Sequence, residues 1–518
     1  MRKFALSDES VVVVIGSGAG GGTLANELAQ RGINVVCLEA GKRLAAHEVV
    51  NDEAIMFERF TWFDRRIGSG IAPKDFPVWT CKTVGGTTMH WTASCPRMQE
   101  HEFRARSTYG DIADANLVDW PIGLQKLAPY YERAEDKMGI TGTHGIERLP
   151  GNNNYKVLEA GARAVGYRDI DTNNVAINSK PRDGRASCLQ LGFCTSGCVV
   201  QAKWSTLYTE ISKAETTEHF ELRSESMAVR INHDTTGRAA SVEYIDNTGQ
   251  RHVQRARIVC VAGNAVETTR LLLNSSSEHF PAGLANSSDQ VGRNYMRHFA
   301  LPVIGIMPGP VNIHRGTHQA GIVKDERHHD PKRGFNGGFL FLTVPFTPEI
   351  ISKIILKDLW GERLVEVMEQ YDHMAAMLVH GEDMPQQSNR ISLHATEKDA
   401  NGLPVPVVHY EDHPNTKAMK KYAAQKGQAV YEALGAKEIF TAQDVFPATH
   451  NMGVARMGTN PQNSVCNSWG QTHDIKNLFI SDGSLFPTVG CENPTLTIVA
   501  LVIRQADYIE QALKKGVL

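Results

Sequence analysis

A glycine-rich turn near the N-terminus has the residue types and the spacing that bind the phosphates of a dinucleotide. The apolar run Val11–Ile15 leads directly into Gly-Ser-Gly-Ala-Gly-Gly at positions 16–21, which matches Gly-x-Gly-x-x-Gly. Gly16 allows the tight turn, Gly18 lets the backbone approach a pyrophosphate, and Gly21 lets the following helix pack closely on the strand. The first N–H groups of that helix would face the phosphates, whose negative charge the helix dipole favours.

An acidic residue after the next strand supports the same prediction. The pattern predicts a helix over residues 23–31 that stops at Gly32, followed by a strand Val35–Leu38 that ends in Glu39. Glu39 lies 18 residues beyond Gly21, close to the roughly 20 expected for an acceptor of the ribose 2′-hydroxyl. The motif does not separate NAD from FAD, but an acid here argues against NADP because it would repel a 2′-phosphate.

Two polar positions near the C-terminus are candidates for chemistry beside such a cofactor. His450 lies in Thr-His-Asn-Met-Gly, and Asn493 lies in Glu-Asn-Pro-Thr directly before an apolar helical pattern. Taken alone, His450 is more simply an ordinary core or surface histidine. Asn493 alone is more simply the N-cap of a helix whose first turn holds Pro494.

The elements that must position these residues indicate an α/β protein. A second apolar run at 258–263, followed by a helical pattern at 267–273, predicts another buried strand and helix. Further helices are predicted at 124–138 and 494–513, and residues 300–345 have a β-rich, glycine-punctuated pattern. A chain of 518 residues is long enough for two or more domains.

Composition narrows the class of protein. A net charge of −3 gives no field that would recruit nucleic acid or an anionic membrane. The sequence has no run of about 18 apolar residues, so we expect no transmembrane helix. The N-terminal residues lead within a few positions into the first strand and leave no room for a signal peptide, which predicts a cytoplasmic protein. Cys37 and Cys260 lie in apolar runs and are expected in the core.

Taken together, these motifs resemble the glucose–methanol–choline (GMC) oxidoreductases, a family of flavoproteins that oxidise alcohols and sugars. The resemblance runs nearly end to end, through the N-terminal turn, Gly85-Gly86, residues 262–272, His450 with Gly453, and residues 482–500. It is nearest to pyranose oxidases and to sugar or glycoside dehydrogenases. The resemblance implies FAD held in an extended pose.

The resemblance also implies a division into two domains. A Rossmann-like FAD-binding domain, with a parallel sheet and helices, would comprise residues 1–105, 200–300 and 441–518. An α+β substrate domain with an antiparallel sheet would comprise residues 106–199 and 301–440, including a cysteine-bearing loop at 186–200.

Roles for individual residues follow from the same resemblance. His450 would take the hydroxyl proton as general base, Asn493 would donate a hydrogen bond to the developing alkoxide, and hydride would pass to flavin N5. The implied FAD contacts are Gly16, Gly18, Ala19, Gly21, Glu39, Ala40, Gly85, Gly86, His90, Thr92, Ala228, Ala262, Gly263, Asp482, Gly483 and Thr495.

The segment around His90 leaves two alternatives open. Val84-Gly-Gly-Thr-Thr-Met-His90-Trp-Thr92 is similar to the segment of pyranose 2-oxidases whose histidine bonds covalently to the flavin. Comparable His-Trp pairs occur in sugar dehydrogenases, so His90 either carries a covalent bond or stacks near the flavin ring without one. Thr92 would contact the flavin edge near N5.

Three cysteines at Cys188, Cys194 and Cys198 form a second open question. Some membrane-bound sugar dehydrogenases of this family bind an iron–sulfur cluster with cysteines in this region. Here the adjacent cysteine pair and a fourth cysteine are missing, so the alternatives are a cluster or a loop with free thiols. No other metal site is expected. With a cluster, the chain would pass electrons to a cytochrome subunit and would reach the periplasm by co-export with a signal-bearing subunit.

The resulting prediction is an FAD-dependent oxidoreductase acting on a hydroxyl of a sugar, glycoside or polyol. The alternatives are an aliphatic or aromatic alcohol oxidase or dehydrogenase, the large subunit of a multi-subunit sugar dehydrogenase, and an inert nucleotide-binding protein. The acceptor would be oxygen, a quinone or a dye-like compound. The sequence does not distinguish oxidase from dehydrogenase, the ring position oxidised, or the oligomeric state.

Overall fold

The computed structural model describes residues 4–442 and 447–518. Residues 1–3 of the N-terminal segment and residues 443–446 of the predicted segment 441–518 lie outside the described residues. The strands of the described part are, in chain order, β1 (Val12–Ile15), β2 (Val35–Leu38), β3 (Ile67–Gly70), β4 (Ile170–Thr172), β5 (Phe220–Arg223), β6 (Ser226–His233), β7 (Ala239–Asp246), β8 (Arg251–Arg255), β9 (Ile258–Val261), β10 (Phe299–Ile306), β11 (Gly321–Val323), β12 (Phe339–Thr343), β13 (Met374–Gly381), β14 (Arg390–Lys398), β15 (Pro404–Tyr410), β16 (Glu438–Thr441) and β17 (Leu478–Ile480). The α-helices are α1 (Ala19–Ala29), α2 (Glu53–Phe60), α3 (Glu100–Phe103), α4 (Ala105–Tyr109), α5 (Leu124–Met138), α6 (Asn153–Ala164), α7 (Ser212–Glu215), α8 (Asn264–Asn274), α9 (Pro348–Ile350), α10 (Gly361–Met368), α11 (Pro414–Glu432) and α12 (Thr495–Lys514).

A five-stranded parallel sheet, in the order β17-β9-β1-β2-β5, forms the centre of the first half of the molecule. Strands β1, β2, β9 and β17 are continuous apolar runs, as expected of a sheet covered on both faces, whereas the edge strand β5 alternates apolar and charged residues. Cys37 in β2 and Cys260 in β9 are fully buried, as predicted. The turn after β1, Glu39 after β2, Ala262 after β9 and Asp482 after β17 all meet at the carboxyl edge of the sheet, where open α/β sheets bind ligands.

The helices around this sheet agree with the sequence pattern except at their ends. The helix predicted over 23–31 is α1, which begins at Ala19 and ends at Ala29, because the chain turns through Gln30 into Gly32, whose φ is +75°. The first apolar strand begins at Val12, one residue later than predicted. The predicted C-terminal helix begins at Thr495, so Pro494 is its N-cap and not part of its first turn.

A six-stranded antiparallel sheet, in the order β16-β10-β13-β12-β11-β4, forms the second half and faces the parallel sheet across a cleft. The β-rich pattern predicted at 300–345 is confirmed by β10, β11 and β12. A small sheet joins the two halves, because β3 pairs in parallel with β15, which in turn pairs with β14. Strands β6, β7 and β8 form a separate antiparallel sheet beside the first half.

Helix α5 has the predicted bounds but packs on the nucleotide-binding half. Tyr131 forms a hydrogen bond with Thr497 of α12 at 2.8 Å, and Lys137 forms an ion pair with Glu27 of α1 at 2.8 Å. Residues 124–138 therefore contact the parallel-sheet half, although the sequence assigns them to the substrate domain. The domain limits stay a prediction.

Within residues 4–442 and 447–518, no helix combines the length and the apolar character needed to cross a bilayer.

Candidate active site

One cleft connects the glycine-rich turn at the edge of the parallel sheet with side chains from the six-stranded sheet. Its lining includes most of the residues that the sequence predicts to bind FAD or act on substrate. These are Gly16, Gly18, Ala19, Glu39, Ala40, Gly86, His90, Thr92, Ala228, Ala262, Gly263, His450, Asp482, Gly483, Asn493 and Thr495.

Two of the predicted residues, Gly21 and Gly85, do not line the cleft but shape it. A Cβ on Gly21 would lie 2.0 Å from the carbonyl oxygen of Gly16, so glycine is required for α1 to pack against the turn. Gly85 has φ +97° and donates its N–H to Ser17 Oγ at 3.0 Å, which ties the second glycine turn to the first. Both residues therefore fix the positions of the backbone segments that form the cleft wall.

The turn at Gly18 presents a helix N-terminus to the cleft. Gly18 is the N-cap of α1, and no side chain caps the first turn. Uncapped N–H groups of this kind need acceptors and favour an anion. The site therefore fits the pyrophosphate of a dinucleotide.

The Glu39 side chain is hydrogen-bonded to the glycine-rich turn and to the loop that follows β2. Its carboxylate accepts hydrogen bonds from the Ser17 N–H at 3.0 Å, the Ser17 hydroxyl at 2.7 Å and the Gly41 N–H at 2.8 Å. Burial raises the pKa of Glu39 in spite of these bonds. Because each carboxylate oxygen accepts more than one hydrogen bond, Glu39 retains acceptor capacity toward a ribose hydroxyl in the cleft.

Strand β6 and the loop after β17 form two further parts of the cleft wall at its nucleotide end. Ala228 lies in β6 where the pairing with β7 is interrupted by a register shift, and it lines the cleft. Asp482 accepts hydrogen bonds from the Thr268 hydroxyl at 2.7 Å and from the Ser484 N–H at 2.8 Å. Asp482 therefore connects α8 to the loop that carries Gly483.

His90 is buried with one ring nitrogen lacking a partner. Its ring stacks on Trp79, with centroids 4.5 Å apart and planes inclined by 7°. Burial is the main cause that lowers the pKa of His90 to about 3, so the ring is neutral. His90 Nε2 has no hydrogen-bond partner although His90 lines the cleft. An unpartnered buried nitrogen at this place fits a group bound in the cleft.

Lys203 holds the backbone on both sides of His90. Its Nζ donates to the carbonyl of Met89 at 2.9 Å and that of Trp91 at 2.8 Å, and also to the carbonyl of Cys194. Burial lowers the pKa of Lys203 to about 8. This lysine therefore couples the His90 segment to the cysteine-bearing loop.

Three histidines meet at the other end of the cleft. His450 Nδ1 lies 3.0 Å from His298 Nδ1 and 3.0 Å from His380 Nε2. Burial, together with the neighbouring rings, lowers the pKa of His298 and of His450 well below the usual 6.5, and burial lowers that of His380 to about 4. All three rings are therefore neutral near pH 7, and His450 Nε2 forms no hydrogen bond within the described residues.

Asn493 does not act as a helix cap. No side chain caps α12, and the Asn493 Oδ1 is buried without a partner in the cleft wall. Oxygen and nitrogen of a side-chain amide are assigned from their partners, so this finding means that one end of the amide faces the cleft unpaired. Asn493 is therefore available to a bound molecule.

Sequence reasoning missed His298 and His380, and it named Gln319 only as one polar residue of the segment 310–365 that would shape the substrate pocket. Gln319 accepts a hydrogen bond from the Thr92 hydroxyl at 2.8 Å, and all three residues line the cleft. A usable signal existed for two of them, since His298 and His380 are polar residues at the ends of apolar strand patterns. Their proximity to His450 was not readable, because it depends on pairing between distant segments.

Side chains of the types that can bind a metal ion cluster at two places within the described residues. The ring nitrogens of His298, His380 and His450 lie within 4.8 Å of one another, as do the ligand atoms of Glu102, Cys491 and Glu492. In the second group, burial and the neighbouring Glu102 raise the pKa of Glu492 well above its usual value. The Glu102 and Glu492 side chains are both buried.

The predicted iron–sulfur cysteines surround a different, small cavity next to Lys203. Burial raises the pKa of Cys188 to about 11 and also raises that of Cys194. Cys188, Cys194 and Cys198 are not among the groups of the described residues whose ligand atoms lie within 4.8 Å of one another.

Comparison with known proteins identifies the chain's relatives. Two family profiles described as GMC oxidoreductase, one N-terminal and one C-terminal, match residues 20–300 and 385–501. The 2-methyl-1,2-propanediol dehydrogenase of Mycolicibacterium austroafricanum is 33% identical over 98% of this chain and 96% of its own length. The fructose dehydrogenase large subunit of Gluconobacter japonicus is 28% identical, with 98% of each chain covered.

Solved structures share the fold. The crystal structure of pyridoxine 4-oxidase from Mesorbium loti superposes with a TM-score of 0.70, covering 97% of this chain and 99% of that chain at 16% sequence identity. At this identity the likeness concerns the fold: a parallel-sheet nucleotide-binding half joined to an antiparallel-sheet half.

Proposed function

The chain belongs to the GMC oxidoreductase family of FAD-dependent enzymes that act on CH–OH donors, and on this premise we propose that it oxidises a hydroxyl of a sugar, glycoside or polyol to a carbonyl. The observation that carries the proposal is the pairing of His450 and Asn493 in one cleft. His450 is neutral and its Nε2 forms no hydrogen bond within the described residues, and the Asn493 amide has one end, Oδ1, without a partner.

The residues of the cleft fit FAD. The uncapped N-terminus of α1 would hold the pyrophosphate, Glu39 the adenosine ribose, and Ala228 the adenine through its backbone. His90, Thr92 and Thr495 would line the flavin end. When bound there, FAD supplies the two-electron acceptor for the hydrogen on the carbon that carries the hydroxyl group.

The protein's own part in the reaction is to move one proton and to hold one charge. His450 Nε2 would accept the hydroxyl proton, a role worth roughly 10²- to 10⁴-fold in rate. The Asn493 amide would donate a hydrogen bond to the oxygen as its negative charge develops, in a site where low polarity strengthens that bond. Strands β10 and β13 contribute Ala300, Leu378 and His380 to the wall of the cleft.

The decisive experiment is a panel of sugars, glycosides, polyols and simple alcohols, assayed with oxygen or a dye as acceptor. With the best substrate, His450→Ala should keep its FAD, seen as the yellow absorbance of the purified protein, and lose substrate-dependent bleaching by at least about 100-fold. A His450→Ala variant that is reduced by substrate as fast as the unchanged protein would exclude His450 as the base.

The substrate class rests on the relatives and on the cleft wall. The fructose dehydrogenase relative favours a sugar, and Gln319, Thr92 and Thr195 offer polar groups at the cleft. Of residues 310–365, Gln319 and Val344 line the cleft, whereas His318 donates a hydrogen bond from Nε2 to the Gly192 carbonyl oxygen at 2.7 Å and does not line it. The diol dehydrogenase relative favours the alternative of a small aliphatic alcohol. Activity confined to simple alcohols would select that alternative.

Covalent attachment at His90 is the second part of the proposal. The neutral ring with an unpartnered Nε2 is the form that can bond to a flavin methyl carbon. Acid precipitation should leave yellow colour in the protein pellet, and His90→Ala should release it to the supernatant. Colour wholly in the supernatant of the unchanged protein would leave the stacked, unbonded alternative.

The third candidate is a dehydrogenase that passes its electrons to a partner subunit. The fructose dehydrogenase relative is named as a large subunit, and Cys188, Cys194 and Cys198 surround one cavity. Iron analysis of the purified holoprotein discriminates: about three irons per chain support a cluster, whereas flavin without iron excludes it.

A further inference from the structure

We propose that His298 and His380 are positioning residues that hold the proton of His450 on Nδ1 and so leave Nε2 free to accept the substrate proton. The inference rests on the proposed role of His450 as base. It follows from the hydrogen-bond partners on the far side of each ring.

The partner of His380 determines where that ring carries its proton. His380 Nδ1 lies 2.9 Å from the carbonyl oxygen of Cys491. A carbonyl only accepts, so Nδ1 must carry the hydrogen. Because a neutral imidazole has one N–H, His380 Nε2 then presents a lone pair, and this nitrogen is the one that faces His450 at 3.0 Å.

The same reasoning applies to His298 with its nitrogens exchanged. His298 Nε2 lies 3.0 Å from the Gly490 carbonyl and 3.3 Å from the Val489 carbonyl, so Nε2 carries the hydrogen. His298 Nδ1 is left with a lone pair, which faces His450 Nδ1 at 3.0 Å.

His450 therefore meets two lone pairs at one nitrogen. Its Nδ1 must carry a hydrogen, shared between the two neighbouring rings, because the opposite tautomer would place the His450 Nδ1 lone pair against two other lone pairs, each 3.0 Å away. With the proton on Nδ1, the basic lone pair of His450 is on Nε2. The geometry thus selects the tautomer that can act as a base toward the cleft.

The arrangement also supports the charge that forms on His450. In the proton transfer, the O–H bond of the substrate breaks with its electron pair left on oxygen, and an N–H bond forms at His450 Nε2. The ring becomes a cation whose Nδ1–H already points at the two acceptors. Hydrogen bonds from a charged donor are stronger than those from a neutral one, so His298 and His380 stabilise the product of this step more than its reactant.

Strand register places the three rings together. Ala300 of β10 pairs with His380 of β13, which puts His298, two residues earlier, on the same face as His380. An antiparallel bridge between Met296 and Met452 places His298 opposite His450. Main-chain pairing therefore fixes the backbone positions from which the three rings project.

Matched substitutions test the inference in the holoenzyme. His298→Phe and His380→Phe keep an aromatic ring but remove the acceptor, and each should lower kcat by on the order of 10- to 100-fold with little change in KM. His298→Asn and His380→Gln keep an acceptor near the position of the lost Nδ1 or Nε2, and each should recover most of the activity. Equal losses in the matched pairs would overturn the positioning role.

The same substitutions in a His450→Ala background separate this inference from the proposed function. There, His298→Phe and His380→Phe should cause no further loss, because they act through His450. A full additional loss would overturn the inference while leaving His450 as the base. Unchanged activity of His450→Ala alone would instead refute the proposed function.

A spectroscopic readout does not depend on turnover or on the folding of the His298 and His380 variants. In the unchanged holoprotein labelled with ¹⁵N-histidine, the His450 signals are those that His450→Ala removes. They should show a protonated Nδ1 and an unprotonated Nε2 at pH 7.5. A protonated Nε2 would overturn the inference.

Discussion

Replacing Gly18 with alanine should weaken FAD binding without destabilising the protein. Gly18 has φ −68° and ψ −163°, a backbone conformation open to any residue. A Cβ there would meet only the Cα of Gly86, at 3.9 Å, which is ordinary van der Waals contact. The free energy of unfolding of the cofactor-free chain should therefore change by no more than about 0.5 kcal/mol.

The same methyl group would stand where the phosphates approach the first turn of α1. A pyrophosphate displaced from one N–H group loses a charge-assisted hydrogen bond, which is worth about 1.5–3 kcal/mol. The dissociation constant for FAD should rise by about 10- to 100-fold.

Gly21→Ala is the matched control, because we expect it to destabilise the folded chain, which Gly18→Ala should not do. Its Cβ would lie 2.0 Å from the Gly16 carbonyl oxygen and 3.0 Å from the Ala262 Cβ, and backbone atoms cannot move aside cheaply. We expect it to lower the free energy of unfolding by about 1–3 kcal/mol or more.

The assay is FAD titration followed by flavin fluorescence, with thermal melting of the cofactor-free chain alongside. Both are carried out in a His90→Ala background so that a covalent bond cannot mask a change in affinity. If folded Gly18→Ala binds FAD as tightly as its parent, the phosphates do not lie at the N-terminus of α1, and the assignment of this turn is refuted.

Three further predictions follow from the described contacts. The base must be unprotonated and the pKa of His450 lies well below 6.5, so kcat/KM should stay level from about pH 8 to 6.5 and fall only at lower pH; an acid limb centred above 6.5 would contradict this. Lys203→Met should lower the free energy of unfolding by about 3 kcal/mol or more, since each orphaned buried carbonyl costs about 1–3 kcal/mol; an unchanged urea midpoint would contradict it. Glu39→Gln puts an amide NH₂ or a neutral oxygen where the carboxylate accepts from Ser17, and should weaken FAD binding by about 10-fold in the same titration; unchanged affinity would show that Glu39 does not support the nucleotide loop.

The nucleotide end of the site was predictable from the sequence because its parts are local. The turn at 16–21 follows β1 directly, and β2 with Glu39 follows within one helix, so a single βαβ unit brings them to one edge of the sheet. The helix end at Ala29 was mispredicted by two residues, since helix termini depend on turn geometry that periodicity does not reveal.

The resemblance to a family extended this reading to His450 and Asn493, which lie near the C-terminus. The resemblance named these two residues but not the side chains that contact them. The sequence alone left Asn493 as a helix cap, and only the observed start of α12 at Thr495, without a side-chain cap, removes that alternative.

The sequence by itself determined the fold class, the nucleotide turn and its acidic partner, because contiguous motifs and hydrophobic periodicity encode them. Only the tertiary structure decided the environment of His450. His298 and His380 reach it through the pairing of β10 with β13 and through the bridge of Met296 to Met452. A one-residue slip in either register would turn a histidine to the opposite face. In the proposed mechanism, the protonation of His450 thus depends on strand register and on backbone carbonyls, neither of which a side-chain pattern can specify.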